Sequence, residues 1–349
     1  MSRQTLACGA AVALLAGFVT TPMAVAQVPE FYRDKTITLV VGYGAGGGYD
    51  AYARLLARHL PKHISGQPTI VVKNMPGAGS LNALNSVYGS GPRDGTAMVT
   101  FGPEVAFEPL RDGPGIKFDP LQLNWLGSMN KQVSIAVMTA KSGADSIETA
   151  RQKKFSVGAS GSGSQSNLNP HVYNAFLGTQ FQVITGFPGT REMTLAMERG
   201  ELDGIAGWSW DSLKLERPNW ANSADIHIIM QVSDKRHYEL PSVPNIYDLI
   251  SSEDDKRVLD VIFAHQLLGR PFAMPPGVPH ARVTMLRAAF DAVVADKALL
   301  EEADRIRLEL DYVTGVEVEA HVKRIFSTPK PLVDRAAAAI EAAKSGKGK

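Results

Sequence analysis

The apolar positions of this chain change period repeatedly, and each change predicts an element. Ile37, Leu39, Val40 and Val41 form a short apolar run that predicts a buried strand. Tyr52, Leu55, Leu56, His59 and Leu60 follow at i, i+3, i+4, i+7 and i+8, the stripe of an amphipathic helix that Pro61 is expected to stop. Further strands are predicted at Thr69–Lys73, Ala97–Phe101, Trp125–Met129, Val133–Thr139, Phe155–Val157, Phe181–Ile184, Leu202–Ala206 and Ile226–Val232. Between them lie helical stripes. One carries Leu81, Leu84, Val87 and Tyr88 behind Ser80, a candidate cap. Another, Pro170–Leu177, has Pro in its first turn, and Arg191–Arg199 is closed by Gly200. A long helix over Pro279–Asp296 and a helical C-terminus from Val316 complete the pattern. This alternation reads as α/β architecture. The chain is expected to cross into a second domain near Asn130 and to return near 264. Residues 27–130 with 264–349 then form one domain, and 131–263 form an inserted one.

Several strands run into glycine- or serine-rich loops that precede helices. Gly42, Gly44, Gly46, Gly47 and Gly48 separate the first strand from the first helix. Such a loop lets backbone approach a ligand, and the helix N-terminus behind it favours an anion, either carboxylate or phosphate. The same arrangement recurs at Asn74–Ser80, Gly158–Asn167 and Thr185–Thr190. In open parallel sheets, ligands sit outside the carboxyl ends of the strands, so two loop sets imply one cleft between domains.

Two enzymatic readings compete with simple binding. Gly42-Tyr43-Gly44-Ala45-Gly46-Gly47 satisfies G-x-G-x-x-G, a dinucleotide fingerprint. That reading also needs an acidic residue at the end of the next strand, where this chain has Lys73-Asn74. A nucleotide-binding enzyme is therefore weakly supported. An exported serine hydrolase would draw its nucleophile from Ser160, Ser162 or Ser164, but the run contains no G-x-S-x-G. The 8 histidines show no metal spacing such as H-E-x-x-H, and no cofactor is implied. An adhesive or structural role would call for repeats, and the chain has none.

Composition narrows the setting. Arg3, the apolar run from Leu6 to Val19, and Ala24-Val25-Ala26 describe a secretory leader over residues 1–26, with cleavage expected after Ala26. Cys8 within it is the sole cysteine of the 349 residues, so the mature chain is expected to form no disulfide. The chain carries 36 Lys and Arg against 35 Asp and Glu. Removing Arg3 with the leader balances the two, which argues against nucleic acid or anionic lipid as a partner. The Lys-rich tail to Lys349 is expected to fray.

An ordered set of motifs then carries a resemblance. Gly46-Gly47-x-x-Asp50, Asn74-Met75-Pro76-Gly77-Ala78-Gly79, Asp94-Gly95, Phe118-Asp119-Pro120, the Gly158–Ser164 run, Gly200-x-x-Asp203 and Leu240-Pro241-Ser242-Val243-Pro244 follow one another along nearly the whole mature chain. Together they resemble the Bug-type receptors, the extracytoplasmic solute-binding proteins of tripartite tricarboxylate transporters. The resemblance implies a two-domain periplasmic-binding-protein fold, type II-like, with two mixed or parallel sheets flanked by helices and a ligand cleft between them. It implies a periplasmic, monomeric receptor without catalysis, which closes on a small organic acid and delivers it to a two-component membrane permease. Ligand carboxylates would be held by backbone amides, hydroxyls and water, with little use of a salt bridge. The site residues it implies are Tyr43, Ala45, Gly46, Gly47 and Asp50 from the first loop, and Gly77, Ala78 and Gly79 from the second. The other domain supplies Ser160, Gly161, Ser162, Gly163, Ser164, Phe187, Asp203 and Trp208.

Bland roles stand beside these. Asp50 either meets ligand or favours the helix N-terminus electrostatically. Trp208 and Trp210 either stack on ligand or pack the core. Arg270 either grips a carboxylate or serves a hinge or surface, and Met193 and Met197 are helix core. The chain also departs from the family pattern. It has Gly42-Tyr43-Gly44 where relatives begin with an apolar residue and Pro, and Phe187-Pro188-Gly189 where many have Tyr-Lys-Gly. Tyr43, Phe187, Trp208 and Trp210 would then line a flatter, more apolar pocket for an aromatic or bulky carboxylate.

Overall fold

The computed structural model describes residues 31–111 and 113–344. The expected leader, its cleavage point, Cys8 and the tail beyond 344 lie outside the described residues. Eleven strands form two mixed sheets. The first sheet takes β1 (Thr36–Val41), β2 (Thr69–Asn74), β3 (Ala97–Thr100), β4 (Asn124–Ser128), β10 (Pro271–Met274) and β11 (Val313–Thr314), in the order β11-β4-β10-β3-β1-β2. The second takes β5 (Ser134–Thr139), β6 (Lys154–Gly158), β7 (Gln180–Ile184), β8 (Gly204–Ser209) and β9 (Ile226–Val232), in the order β7-β6-β8-β5-β9. β1 pairs in parallel with β2 and β3, and β6 with β7 and β8, whereas β5, β10 and β11 pair antiparallel.

Each sheet is buried on both faces because its strands are apolar at successive positions. In β1, Ile37, Leu39 and Val41 join the layer of Leu55, Leu56, Leu286 and Phe290. Val40 faces the opposite layer with Leu84, Val87 and Trp125. In β5, Ala136 and Met138 meet Val172 and Tyr173 on one side, while Ile135 and Val137 meet Met193, Met197 and Ile205 on the other. Fully burying a side chain such as Leu55 contributes roughly 1.5–3 kcal/mol. The period of two along a strand with both faces covered makes these sheets helix-flanked layers.

Local chemistry moves several element boundaries. The Gly48–His59 helix does not stop at Pro61; it tightens into a 3-10 turn, Leu60–His63, where Pro at an early position loses no needed N–H. The helix expected from Pro170 begins five residues earlier and spans Gln165–Leu177, because the Ser164 side chain accepts from the Asn167 N–H and caps it. Pro170 therefore sits inside the helix rather than in its first turn. Ser80 precedes the Leu81–Ser90 helix with positive φ, and its hydroxyl accepts from the Gly102 N–H instead of capping.

The chain passes between sheets at 129–133 and again at 263–270, and the two crossings are hydrogen-bonded side by side. Met129 N–H donates to Arg270 O at 3.0 Å, Gly269 N–H to Asn130 O at 2.9 Å, and Gln132 N–H to Gln266 O at 2.7 Å. The C-terminal stretch does not stay with the first sheet throughout. The Lys330–Lys344 helix buries Ala336 and Ile340 among Val172, Tyr173, Val258 and Leu259, a layer of the second lobe. No helix among the described residues is long and apolar enough to cross a membrane.

Beside the crossings lies Arg270, 0 % exposed. Its Nη2 donates to Asp211 Oδ1 and Oδ2, both at 3.0 Å, and to Ser212 Oγ at 2.8 Å. Asp211 belongs to the Trp210–Glu216 helix, which leaves the second sheet, so this pair ties the lobes together. Asp211→Ala leaves a buried guanidinium without counter-charge and should lower stability by about 3–5 kcal/mol in urea unfolding. A loss below ~1 kcal/mol would show that the lobes do not depend on the pair.

Candidate functional site

The loops that end β1 and β2 face those that end β6 and β7, and the two sets touch. At Gly79, φ is +64°, and a Cβ would lie 2.4 Å from the Ser164 backbone nitrogen. At Gly161, φ is +154°, and a Cβ would lie 2.5 Å from the Gly79 nitrogen. Only glycine permits this conformation and this approach together. The two glycine turns interlock across the cleft. Gly44 N–H adds a direct bond to Pro188 O at 3.1 Å.

At two helix N-termini around the cleft the backbone amides are met by the protein's own carboxylates, whereas the Thr190–Glu198 helix, which also borders the cavity, has no side-chain cap. Gly46 N–H donates to Asp50 Oδ2 at 2.8 Å, and Gly48 N–H to Glu216 Oε1 at 3.2 Å. Gln165 N–H donates to Glu104 Oε1 at 2.6 Å, which bridges the lobes. Each carboxylate takes the position that free amides and a helix dipole offer to an anion. Asp50 also accepts from Arg54 and Asn74, so it fastens the first loop to its own helix and to β2. Burial works to raise its pKa, but these donors carry it below the ordinary value.

Between the loops lies a cavity of about 40 Å³, with room for only a few water molecules. Tyr43, Gly47, Tyr49 and Glu104 line it from the first lobe; Ser160, Ser164, Gln165, Thr190, Glu192, Trp208 and Ser212 line it from the second. Tyr43 and Tyr49 stack with ring centroids 4.5 Å apart. Several lining atoms are buried without a hydrogen-bond partner, among them Glu104 Oε2, Glu192 Oε2, Gln132 Oε1, Gln165 Nε2 and Trp208 Nε1. Burial pushes Glu104 up to about 7, against its hydrogen bonds from backbone amides. Burial raises Glu216 to about 7 as well, offset in part by Thr190 and the Gly48 N–H.

The expected site residues divide accordingly. Tyr43, Gly47, Ser160, Ser164 and Trp208 line the cavity. Gly77, Ala78, Gly79, Gly161 and Gly163 belong to the two interlocking turns and do not line it, Gly163 lining a separate cavity, and Ala45 and Gly46 are exposed on the first loop. Asp50 does not line it. Nor does Asp203, whose carboxylate accepts from the Ser156 N–H and hydroxyl and so joins the start of β8 to β6. Phe187 packs beside the Trp208 cluster, and Ser162 opens into a separate cavity beside Leu168 and Ile340. Trp210 is also absent from the lining, its Nε1 bonded to Glu239. In place of the expected aromatic wall of Tyr43, Phe187, Trp208 and Trp210, the lining carries Tyr43, Tyr49 and Trp208. Sequence reasoning missed Tyr49, Glu104, Gln132, Gln165, Glu192 and Ser212. Gln165 directly follows the serine run, which was its available signal; Glu104 lies in a stretch that reads as a connection.

The serines are committed to the loop: Ser164 Oγ donates to Gly161 O at 2.7 Å and lies 3.0 Å from Ser166 Oγ, and no imidazole lines the cavity. Among the described residues, the cluster able to hold a metal is His237, Glu239 and Glu309, outside the cavity, and Lys214 already pairs with both carboxylates.

Because Glu104 has a higher pKa folded than unfolded, the native state binds its proton more tightly. Stability from this residue is full below about pH 4.5 and is lost as pH rises to about 7. Glu104→Gln should therefore gain stability relative to the parent by on the order of 3 kcal/mol across that window. Urea midpoints at intervals from pH 4.5 to 7.5 measure this; a constant difference would contradict it.

No family model matches the chain. In sequence it is 28% identical over 234 residues to the UPF0065 protein in the gbd 5′ region of Cupriavidus necator, covering 64% of this chain and 67% of that one. It is 26% identical over 231 residues to a UPF0065 protein of Agrobacterium vitis, covering 64% and 63%. Among solved structures, the periplasmic binding protein BugD aligns with a TM-score of 0.69 at 18% identity, over 90% of this chain and 99% of that one. An R. palustris protein solved with adipate aligns at 0.68 and 19%, over 87% and 97%. MatC of Rhodopseudomonas palustris, with bound malate, aligns at 0.65 and 17%, over 88% and 99%. At these identities the likeness is one of fold. The chain has the two-domain fold of the Bug-type periplasmic binding proteins, and its sequence relatives are UPF0065 proteins.

Proposed function

We propose that this protein is a periplasmic solute receptor that captures a small organic acid between its lobes and hands it to a membrane permease of the tripartite tricarboxylate type. The observation that carries the reading is the cavity between two glycine-rich loop sets, with polar groups contributed by both lobes. A ligand that engages Tyr43 and Glu104 on one side and Ser160, Thr190 and Trp208 on the other gains its full set of partners only when the lobes are closed. It thereby shifts the open–closed balance by its difference in affinity for the two forms. Support for an organic acid comes from the adipate- and malate-bound neighbours and from the hydroxyl, indole and amide donors of the lining. Residues 1–26 act as the export signal, and the receptor works as a monomer that delivers its cargo and does no chemistry on it.

Denaturing and refolding the protein removes ligand carried through purification. A thermal-shift panel of aliphatic and aromatic carboxylates should then reveal one class that stabilises it. At about 100 times its dissociation constant, a ligand adds roughly 2.7 kcal/mol, a rise of several degrees for a chain of this size. The same compound should shrink the radius of gyration in small-angle scattering. A stabilising ligand that leaves the scattering profile unchanged would contradict capture by closure.

A further inference from the structure

We propose that the ligand carries a protonated nitrogen as well as a carboxylate, with Glu104 and Glu192 as the counter-charges to that nitrogen. This rests on the receptor reading and names its ligand more closely.

Glu104 is 1 % exposed and lines the cavity. One of its oxygens accepts from the Gln165 N–H, and the other, Oε2, has no partner. From the opposite lobe, Glu192 brings a second buried carboxylate oxygen without a partner, beside Gly44 and Gly189. A buried carboxylate oxygen left unpaired is costly, and a donor with positive charge removes that cost most fully.

The buried cation whose charge acts on Glu104 is Arg270, but burial outweighs it, and both oxygens of Asp211 hold its Nη2. Tyr43 and Tyr49 stay neutral phenols, since burial holds both well above the ordinary tyrosine value. Glu108 adds negative charge near Glu104, and Glu216 presents another unpartnered buried oxygen near Thr190. A ligand with two carboxylates would have to set one of them against this acidic side, where the low dielectric magnifies repulsion. The lining also holds donors: Trp208 Nε1 has no partner, and Arg191, exposed beside Gly46, supplies positive charge. Unpaired acidic oxygens and unpaired donors in one cavity suit a zwitterion, its ammonium toward Glu104 and Glu192 and its carboxylate toward Trp208 Nε1 and Arg191.

Matched pairs of probes test this by calorimetry on the refolded protein: succinate with 4-aminobutanoate, and terephthalate with 4-(aminomethyl)benzoate. Each pair exchanges one carboxylate for an ammonium at similar length. In at least one pair the ammonium compound should bind tenfold or more tightly than its dicarboxylate. Its affinity should rise about tenfold from pH 6 to pH 8 as Glu104 loses its proton and the competent fraction grows. Glu104→Gln, which keeps an acceptor for the Gln165 N–H, should abolish both the preference and the pH dependence; Glu192→Gln should weaken the preference. Tighter binding of the dicarboxylate, strengthening as pH falls, would overturn this inference and leave the receptor standing. No binding by either class would overturn both.

Discussion

The closed arrangement of the two lobes depends on one buried charge. Arg270 leaves the crossing segment just before β10, and its guanidinium lies 4.4 Å from the Tyr49 ring centroid and 5.1 Å from that of Tyr52. Asp211, from the other lobe, supplies the counter-ion, and Asn130 Nδ2 bonds both Asp211 at 3.0 Å and the Tyr52 hydroxyl at 3.1 Å. Taking both ions out of water is costly, so the pair adds little net stability beyond what packing gives. Its effect is geometric. An uncompensated Arg270 is unfavourable, so arrangements that separate it from Asp211 are disfavoured, and the loops at both sheet ends are brought into register.

That commitment shapes the chemistry left for a ligand. A free arginine in the cleft would be the obvious partner for a carboxylate, yet the Nη2 of this one is held by the protein's own Asp211. Two helix N-termini, equally suited to an anion, are met by Glu104, Asp50 and Glu216. The unpartnered groups that remain in the lining include acidic oxygens of Glu104 and Glu192 and the indole N–H of Trp208.

Much of the framework was legible in the chain. β1, its glycine loop and the following helix could be read because strand period, glycine conformation and helix stripe are all local properties. The glycines at 77, 79 and 161 announced close backbone approach, though not to what. Gly79 and Gly161 meet the backbone of each other's turns, because the partner of a turn is set by how two lobes dock, whereas Gly77 makes room for the Asn82 side chain of its own lobe. Asp50 and Asp203 show the same limit. A carboxylate in a loop motif reads equally as a ligand contact or as a brace, and here the nearest donors, the Gly46 amide and the Ser156 amide and hydroxyl, make it a brace. The Gln165–Leu177 helix was misplaced because Pro170 is a strong local signal, while the Ser164 cap becomes visible only once its hydroxyl reaches the Asn167 amide.

The sequence by itself determined the α/β layers, the strands from β1 to β9 in chain order but not the short β10 and β11, and which loops carry backbone able to meet a partner closely. These follow from residue type and spacing over a few turns of chain. Tertiary structure alone decided that Arg270 answers to Asp211, that Glu104, some 60 residues before Gln165, caps that residue's helix, and that the last helix returns to the second lobe. Those choices join residues far apart in the chain, and the energy that selects them arises only when burial removes water from both partners at once.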